Sequence, residues 1–190
     1  MNLQLRPALV CLLGCSVLTG LAYPFAITGL ARVLFPHQAG GSLLRQDGRV
    51  IGSALIGQSF TDPGHFWGRP SATSPGPYNA AAGTASNLAP SNPDLAQAVA
   101  ARIAALRAAD PTATGPVPVV LVTASGSGLD PDISPAAAIF QVPRVAKARG
   151  MAEPRVRELV LRHIEGPQLG VLGEPRVNVL ALNRALDGLR

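Results

Sequence analysis

Residues 7–31 contain no charged side chain and are rich in Leu, Val, Ala and Ile, and the apolar run carries on through Leu34 and Phe35. As a helix, this stretch would rise on the order of 37 Å, more than the roughly 30 Å hydrocarbon core of a bilayer. Pro36 should end it, and Ala39-Gly40-Gly41-Ser42 reads as a short linker. The pattern then changes period. Residues 43–46 and 49–52 flank Asp47-Gly48, a strong turn dipeptide, so a β-hairpin is expected, with residues 53–60 continuing as a mostly apolar strand. Residues 61–90 are dense in Pro, Gly, Ser, Thr and Asn. Loops this long are usually functional or disordered, and the embedded Phe66, Trp67 and Tyr78 argue for one packed onto something.

Helical spacing returns at Ser91, which can cap a helix with Pro93 and Asp94 in its first turn and Leu95, Val99, Ile103 and Leu106 on one face. Asp110-Pro111 stops it. Residues 117–123 read as an apolar strand buried on both faces. They empty into a Gly/Ser/Asp turn, after which Ser134 caps a helix with Pro135 at its first position. That helix is expected to be interrupted by Pro143, to resume over 144–149 and to end at Gly150. A further helix is expected over 153–164. Val177, Val179 and Ala181 alternate as a short strand before a last helix over 182–189. The expected fold is α/β or α+β: a single N-terminal transmembrane helix (1–35) followed by one mixed, loop-rich soluble domain (36–190).

Composition sharpens this picture. Hydrophobic residues make up 47% of the chain but aromatics only 4%, so the core must be aliphatic; 20 glycines and 18 prolines exclude a simple helical bundle. The net charge of +5 is carried by arginine, Lys147 being the only lysine, and no basic cluster interleaved with aromatics appears. Nucleic acid is therefore not an expected partner. Cys11 and Cys15, four apart on one face of the apolar segment, read as small packing residues. The cysteine-free remainder suits the outside of a bacterial inner membrane. Leu12-Leu13-Gly14-Cys15 resembles a lipoprotein cleavage box and Gly20-Leu21-Ala22 a signal-peptide site. The apolar run continues for about twenty residues past Cys15, which favours an uncleaved anchor. Arg6 favours a cytoplasmic N-terminus, although Arg32, Arg45 and Arg49 beyond the span blunt that signal.

Catalytic templates fail at the Ser125-Gly126-Ser127-Gly128 turn. Ser127 lacks the flanking glycines of a nucleophile elbow. No Lys follows Gly128 as a phosphate loop requires. Asp130 and Asp132 supply only two of the oxygens of a calcium loop. The turn's backbone amides could still cradle an anion or a partner's carbonyl, and Asp130 with Asp132 could handle ions outside the membrane. His37, His65 and His163 lack metal-ligand spacing, so no metal site is expected. Arg69 beside Trp67 suggests a guanidinium stacked on an indole. Gln58 should bond neighbouring backbone.

Taken in order, Gly52-Ser-Ala-Leu-Ile-Gly-Gln58, Trp67-Gly-Arg-Pro-Ser-Ala72, Tyr78-Asn79, Ser86-Asn-Leu-Ala-Pro90, the run from Val122 to Pro131 and Ile133-Ser-Pro135 form a specific combination. Arg144-Val-Ala-x-Ala-Arg-Gly150 and Val177-Asn-Val-Leu-x-Leu-Asn183 complete it. The chain resembles the C subunits of bacterial Kdp potassium-transporting ATPases over nearly its whole length. Asp132 departs from the family's Leu-Asp-Pro-His form. The resemblance implies a non-catalytic, single-span accessory subunit of a high-affinity potassium uptake complex, needed for assembly, stability and coupling. The implied partners are a potassium-translocating channel-like subunit, a P-type ATPase subunit and a small membrane peptide. It also implies an alternative, a catalytic chaperone that binds nucleotide and raises the ATP affinity of the ATPase subunit, for which Gln58, Ser125, Gly126, Ser127 and Gly128 are candidates. With a cytoplasmic N-terminus, residues 36–190 lie outside, away from ATP, so no cofactor is expected. Trp67, Arg69, Tyr78, Asn79, Asn87, Asp130, Asn178 and Asn183 are left as partner-contact or fold-signature candidates.

Overall fold

In the computed structural model, which describes residues 4–189, helices α1 (Leu5–Val17) and α2 (Tyr23–Leu34) are joined by a π-helical turn at Leu18–Ala22 into one apolar rod, Leu5–Leu34. The rod is 30 residues long with a mean hydropathy of 1.9, sufficient to cross a membrane. Within it the Thr19 hydroxyl donates to the Cys15 carbonyl at 2.7 Å, which satisfies the hydroxyl inside the π-turn of an apolar segment. Pro36 does end this helix, but it also starts a single further turn, α3 (Pro36–Ala39), because a fixed φ suits a first helical position. The hairpin forms as expected from β1 (Leu43–Gln46) and β2 (Arg49–Ser53), with Asp47 and Gly48 both at positive φ (51° and 76°) as a tight hairpin turn requires. Residues 1–51 form one compact unit and 52–190 a second.

The second unit is built on helices α4 (Pro93–Ala109), α5 (Pro135–Arg149), α6 (Glu153–Arg162) and α7 (Val179–Asp187) and an antiparallel sheet ordered β3–β5–β4. Its strands are short: β3 (Asp132–Ile133), β4 (Ile164–Glu165) and β5 (Arg176–Asn178). Val177 on the central strand faces Ile133 on one side and Ile164 on the other, an apolar row that joins the core. Helix α5 packs on α6, α6 on α7, and both α5 and α7 touch β5. Val142, Val145, Val156, Val160, Leu182 and Leu186 are completely buried between them. The mixture of helix and antiparallel strand is α+β.

Several expectations need correcting. Residues 53–60 do not extend the hairpin; a turn closes at once through a bridge between Ser53 and Ile56. Residues 117–123 are not a strand but a 3-10 turn, Val119–Leu121, with Leu121 and Val122 buried and Val119 exposed. Pro116 and Pro118 remove two N–H groups that a central strand would need, and the chain curls so that the Leu121 amide donates to Pro118 and those of Val122 and Thr123 to Val119. Pro143 does not interrupt α5, because removing one helical hydrogen bond is outweighed by burial of Val142, Val145 and Ala146 around it. The cap of α4 is Asn92, whose Oδ1 accepts from Asp94 N at 2.8 Å, rather than Ser91. Helix α6 stops at Arg162 so that Ile164 can pair with Val177. Asn178 starts α7 at Val179, so residues 179–181 are helix despite their strand-like alternation.

Candidate functional site

The long loop is held in place by amide side chains acting as backbone mimics. Asn183 on α7, 1% exposed, accepts from Phe66 N at 2.8 Å through Oδ1 and donates to Phe66 O at 2.9 Å through Nδ2. Gln141 on α5, also 1% exposed, treats the next residue the same way: Oε1 accepts from Trp67 N at 2.8 Å and Nε2 donates to Trp67 O at 3.1 Å. In an extended chain the polar groups of successive residues point to opposite edges. Residues 66 and 67 are thus clasped from two sides by two helices, as a strand is clasped by its neighbours. Burial of Phe66, which is completely covered, fixes the clasp hydrophobically.

Arginines complete the attachment. Arg144 donates to Pro63 O at 2.5 Å and to Gln141 Oε1 at 2.6 Å, and its guanidinium lies 4.3 Å from the Trp67 ring centroid. The stacked arginine is therefore Arg144; Arg69, two residues from Trp67 in sequence, pairs with Asp130 instead. Burial lowers the Arg144 pKa, and the carboxylates of Asp110 and Asp62 oppose that shift. Arg149 donates to Gly64 O at 2.6 Å and pairs with Asp187 at 2.5 Å, where His65 Nε2 also approaches to 3.1 Å. Gln141 is not among the residues that the sequence singles out, and Arg144 and Arg149 stand out there only as members of a family motif, without a contact role. Their signal is a polar side chain at a helical position whose neighbours Ala137, Ala138, Val142 and Val145 are all core.

Farther along, the loop is joined to the Ser125–Gly128 turn and its continuation. Arg69 Nη1 meets Asp130 Oδ2 at 2.9 Å, and Arg69 Nη2 donates to Ala124 O at 3.3 Å. The Ser71 hydroxyl donates to Gly128 O at 2.7 Å and accepts from Tyr78 N at 2.9 Å. Tyr78, at φ 57°, lies against two glycines: a Cβ on Gly57 would stand 2.4 Å from its ring, and one on Gly68 would stand 2.7 Å from its hydroxyl. That hydroxyl donates to Arg69 O at 2.6 Å. Burial, and then the Asp130 charge, push the Tyr78 pKa up to about 12 against the opposing pull of Arg69.

The proton is therefore held more tightly in the folded state than in the unfolded one. The stabilisation is complete below pH 10 and is lost as pH rises from about 10 to 12. We expect Tyr78→Phe to destabilise the domain by about 1 kcal/mol at neutral pH through loss of the hydroxyl bond, and to flatten the alkaline decline. Denaturant titrations at pH 8 and pH 11 check this.

Within the turn, the hydroxyls serve the backbone. Ser125 Oγ accepts from Gly128 N at 2.9 Å, Ser127 Oγ from Leu129 N at 3.1 Å, and Ser134 Oγ from Ala137 N at 3.3 Å as the expected cap of α5. Gly126 has open space around it. Asp130 Oδ1 accepts from Asp132 N at 3.0 Å, and Asp132 pairs with Arg176 at 3.2 Å, so each carboxylate of this pair meets a guanidinium. Burial raises the Asp132 pKa, with Asp130 and Glu165 adding to the shift while Arg176 and Asn178 resist it. Asp130, Asp132 and both guanidinium side chains line a surface cavity of about 620 Å³ together with Ser134 and Glu174. A second, smaller cavity of about 200 Å³ lies between Trp67, Tyr78, Arg102 and Leu121.

The remaining candidates are distributed. Asn178 caps α7 through Ala181 N and ties Ala54 O to the Asp132 carboxylate, at 3.1 and 3.2 Å. Asn79 caps the 3-10 turn Ala80–Ala82 and donates to Ser74 O. Asn87 is exposed, at φ 52° in an irregular stretch of the loop. The Gln58 amide lies over Gly52, where a Cβ would come within 2.1 Å of its nitrogen. His163 stays at the end of α6, its Nδ1 at 2.8 Å from Leu159 O. Among the described residues, no group of three or more His, Cys, Asp or Glu is placed to hold a metal ion.

A family model described as K+-transporting ATPase, c chain (KdpC), matches residues 5–188. The chain belongs to the KdpC family. It is 65% identical over 187 residues to the potassium-transporting ATPase KdpC subunit of Sorangium cellulosum, covering 98% of both chains. It is 62% identical to the subunit of the same name from Polaromonas naphthalenivorans, over 98% of this chain and 95% of that one. It is also 62% identical to the Methylibium petroleiphilum subunit over the whole of both. The docked loop, the Ser125–Gly128 turn and the cap residues all lie inside the KdpC match.

Proposed function

We propose that this KdpC chain is a non-catalytic subunit that assembles and stabilises the potassium-transporting ATPase complex and couples its channel-like and P-type ATPase subunits. A small membrane peptide is the third partner. In this reading the Leu5–Leu34 helix crosses the bacterial inner membrane with its N-terminus in the cytoplasm, and the domain that follows lies outside. The observation that carries it is the use made of the family-signature polar groups. Ser125, Ser127, Asn178, Asn183, Arg69 and Asp130 are all engaged in holding the domain's own loops and helix ends. A surface so employed is suited to rigid docking.

The reading without nucleotide is supported by the same contacts, since the hydroxyls of the turn already accept from backbone amides. A nucleotide-binding chaperone would require the domain to face the cytoplasm. A reporter active only outside the membrane, fused after residue 190, is expected to be strongly active; a silent reporter contradicts the proposal. Removing residues 36–190 is expected to dissociate or inactivate the complex, and a fully active complex after that deletion would sink the assembly role.

A further inference from the structure

Within the connection from β4 to β5 (166–175), residues 166–173 run through Pro-Gln-Leu-Gly-Val-Leu and carry no charge. The connection closes on itself: Gln168 N donates to Leu172 O at 2.8 Å, Leu172 N to Gln168 O at 2.9 Å, and Gly170 N to Pro167 O at 3.1 Å. Its tip is therefore a formed hairpin. Leu169, Val171 and Leu172 on it are 90%, 79% and 57% exposed. Elsewhere in the 52–190 unit, large apolar side chains are exposed singly, as at Leu55, Val119 and Leu161, which is ordinary for a protein surface. Leu169 also sits at φ 54°, a conformation that a glycine would adopt without strain. The strain holds an apolar side chain outward, with almost no burial inside the domain to offset it.

The charges at the base of this hairpin distinguish between occupants. Asp130, Asp132, Glu165 and Glu174 stand there against two guanidiniums: Arg69 pairs with Asp130, and Arg176 with both Asp132 and Glu165, which leaves the carboxylates in excess. Glu174 has no ion-pair partner among the described residues. An acidic base is repelled by anionic lipid, and the tip lacks the Trp, Tyr, Lys or Arg of membrane-interface segments. A second copy meeting this face symmetrically would oppose carboxylate to carboxylate.

We propose that the 166–173 hairpin is a docking knob whose occupant is another subunit of the same ATPase, one presenting an apolar socket with a basic rim. This rests on the assembly reading above and identifies a surface for it. Leu169 and Val171 would be buried in the socket, and Glu165 and Glu174 would face the rim.

In the full chain co-expressed with its complex, Leu169→Ser/Val171→Ser should reduce co-purification of the other subunits by on the order of tenfold or more. Its thermal unfolding should be unchanged, because both side chains are exposed in the isolated chain. A photo-crosslinking residue at position 169 should form its adduct with another subunit of the complex. Undiminished co-purification, or adducts only with lipid or with a second copy of this chain, overturns the proposal. If deletion of 36–190 breaks the complex while the tip variant does not, only the knob falls. If the deletion itself is harmless, the assembly reading falls with it.

Discussion

Asn183→Leu is expected to destabilise the soluble domain by about 2–5 kcal/mol, because it leaves the buried Phe66 N–H and C=O without partners while keeping the branched side-chain skeleton. A hydrogen bond between two groups that can both return to water has a small net value. Here neither can: Phe66 is completely buried and its clasp comes from one side chain. The midpoint of thermal unfolding should fall by on the order of 10 °C in the detergent-solubilised full chain. Gln141→Leu should act in the same direction on Trp67, and it also removes the acceptor of Arg144. The two substitutions should be less than additive, since both release the same two-residue segment. Additive losses would mean that the clasps act independently.

Gly128→Ala is the second large effect, at about 2–4 kcal/mol, from the left-handed backbone together with overpacking. Gly128 has φ +69°, and a Cβ there would lie 2.6 Å from Thr73 Cγ2 and 2.8 Å from the Thr84 carbonyl oxygen. The second neighbour is backbone and cannot rotate aside. Gly126, two residues earlier, is the control: it lacks positive φ, and an added methyl would meet nothing within 4 Å, so Gly126→Ala should stay within about 0.5 kcal/mol. Equal behaviour of the two alanines would refute the close packing of this turn on residues 73 and 84.

The features legible in the sequence are those with local causes. Asp47-Gly48 dictates its hairpin through positive φ, and Ser134 with Gly150 mark the two ends of α5 through a cap and a left-handed exit. The Leu5–Leu34 rod follows from length and apolarity alone. What escapes a reading of the sequence are features with distant causes. Strands of two or three residues exist only because Ile133 and Ile164 find Val177, and no period can be read in so few positions. The 117–123 run has strand composition but prolines at the wrong places. Residues 61–90 are recognisable as a packed loop from their aromatics, whereas their holders, Gln141 and Arg144, lie more than seventy residues on. Asp130 and Arg69 each stand out in the sequence, but only the fold pairs them.

The clasp on Phe66 also sets a timetable for biogenesis. Its partner Asn183 lies 117 residues further along the chain, which at ordinary synthesis rates means a wait of roughly 6 to 23 seconds. Trp67 can be held once Gln141 and Arg144 have been made, but the Phe66 backbone lacks its clasp for the whole interval and is available to chaperones or to misassembly. Contacts of such long range also make the closing step slow, since the intervening loop must lose its entropy first. Maturation of this domain is thus gated by the arrival of α7, and a pulse-labelled chain should remain protease-sensitive until that helix has emerged.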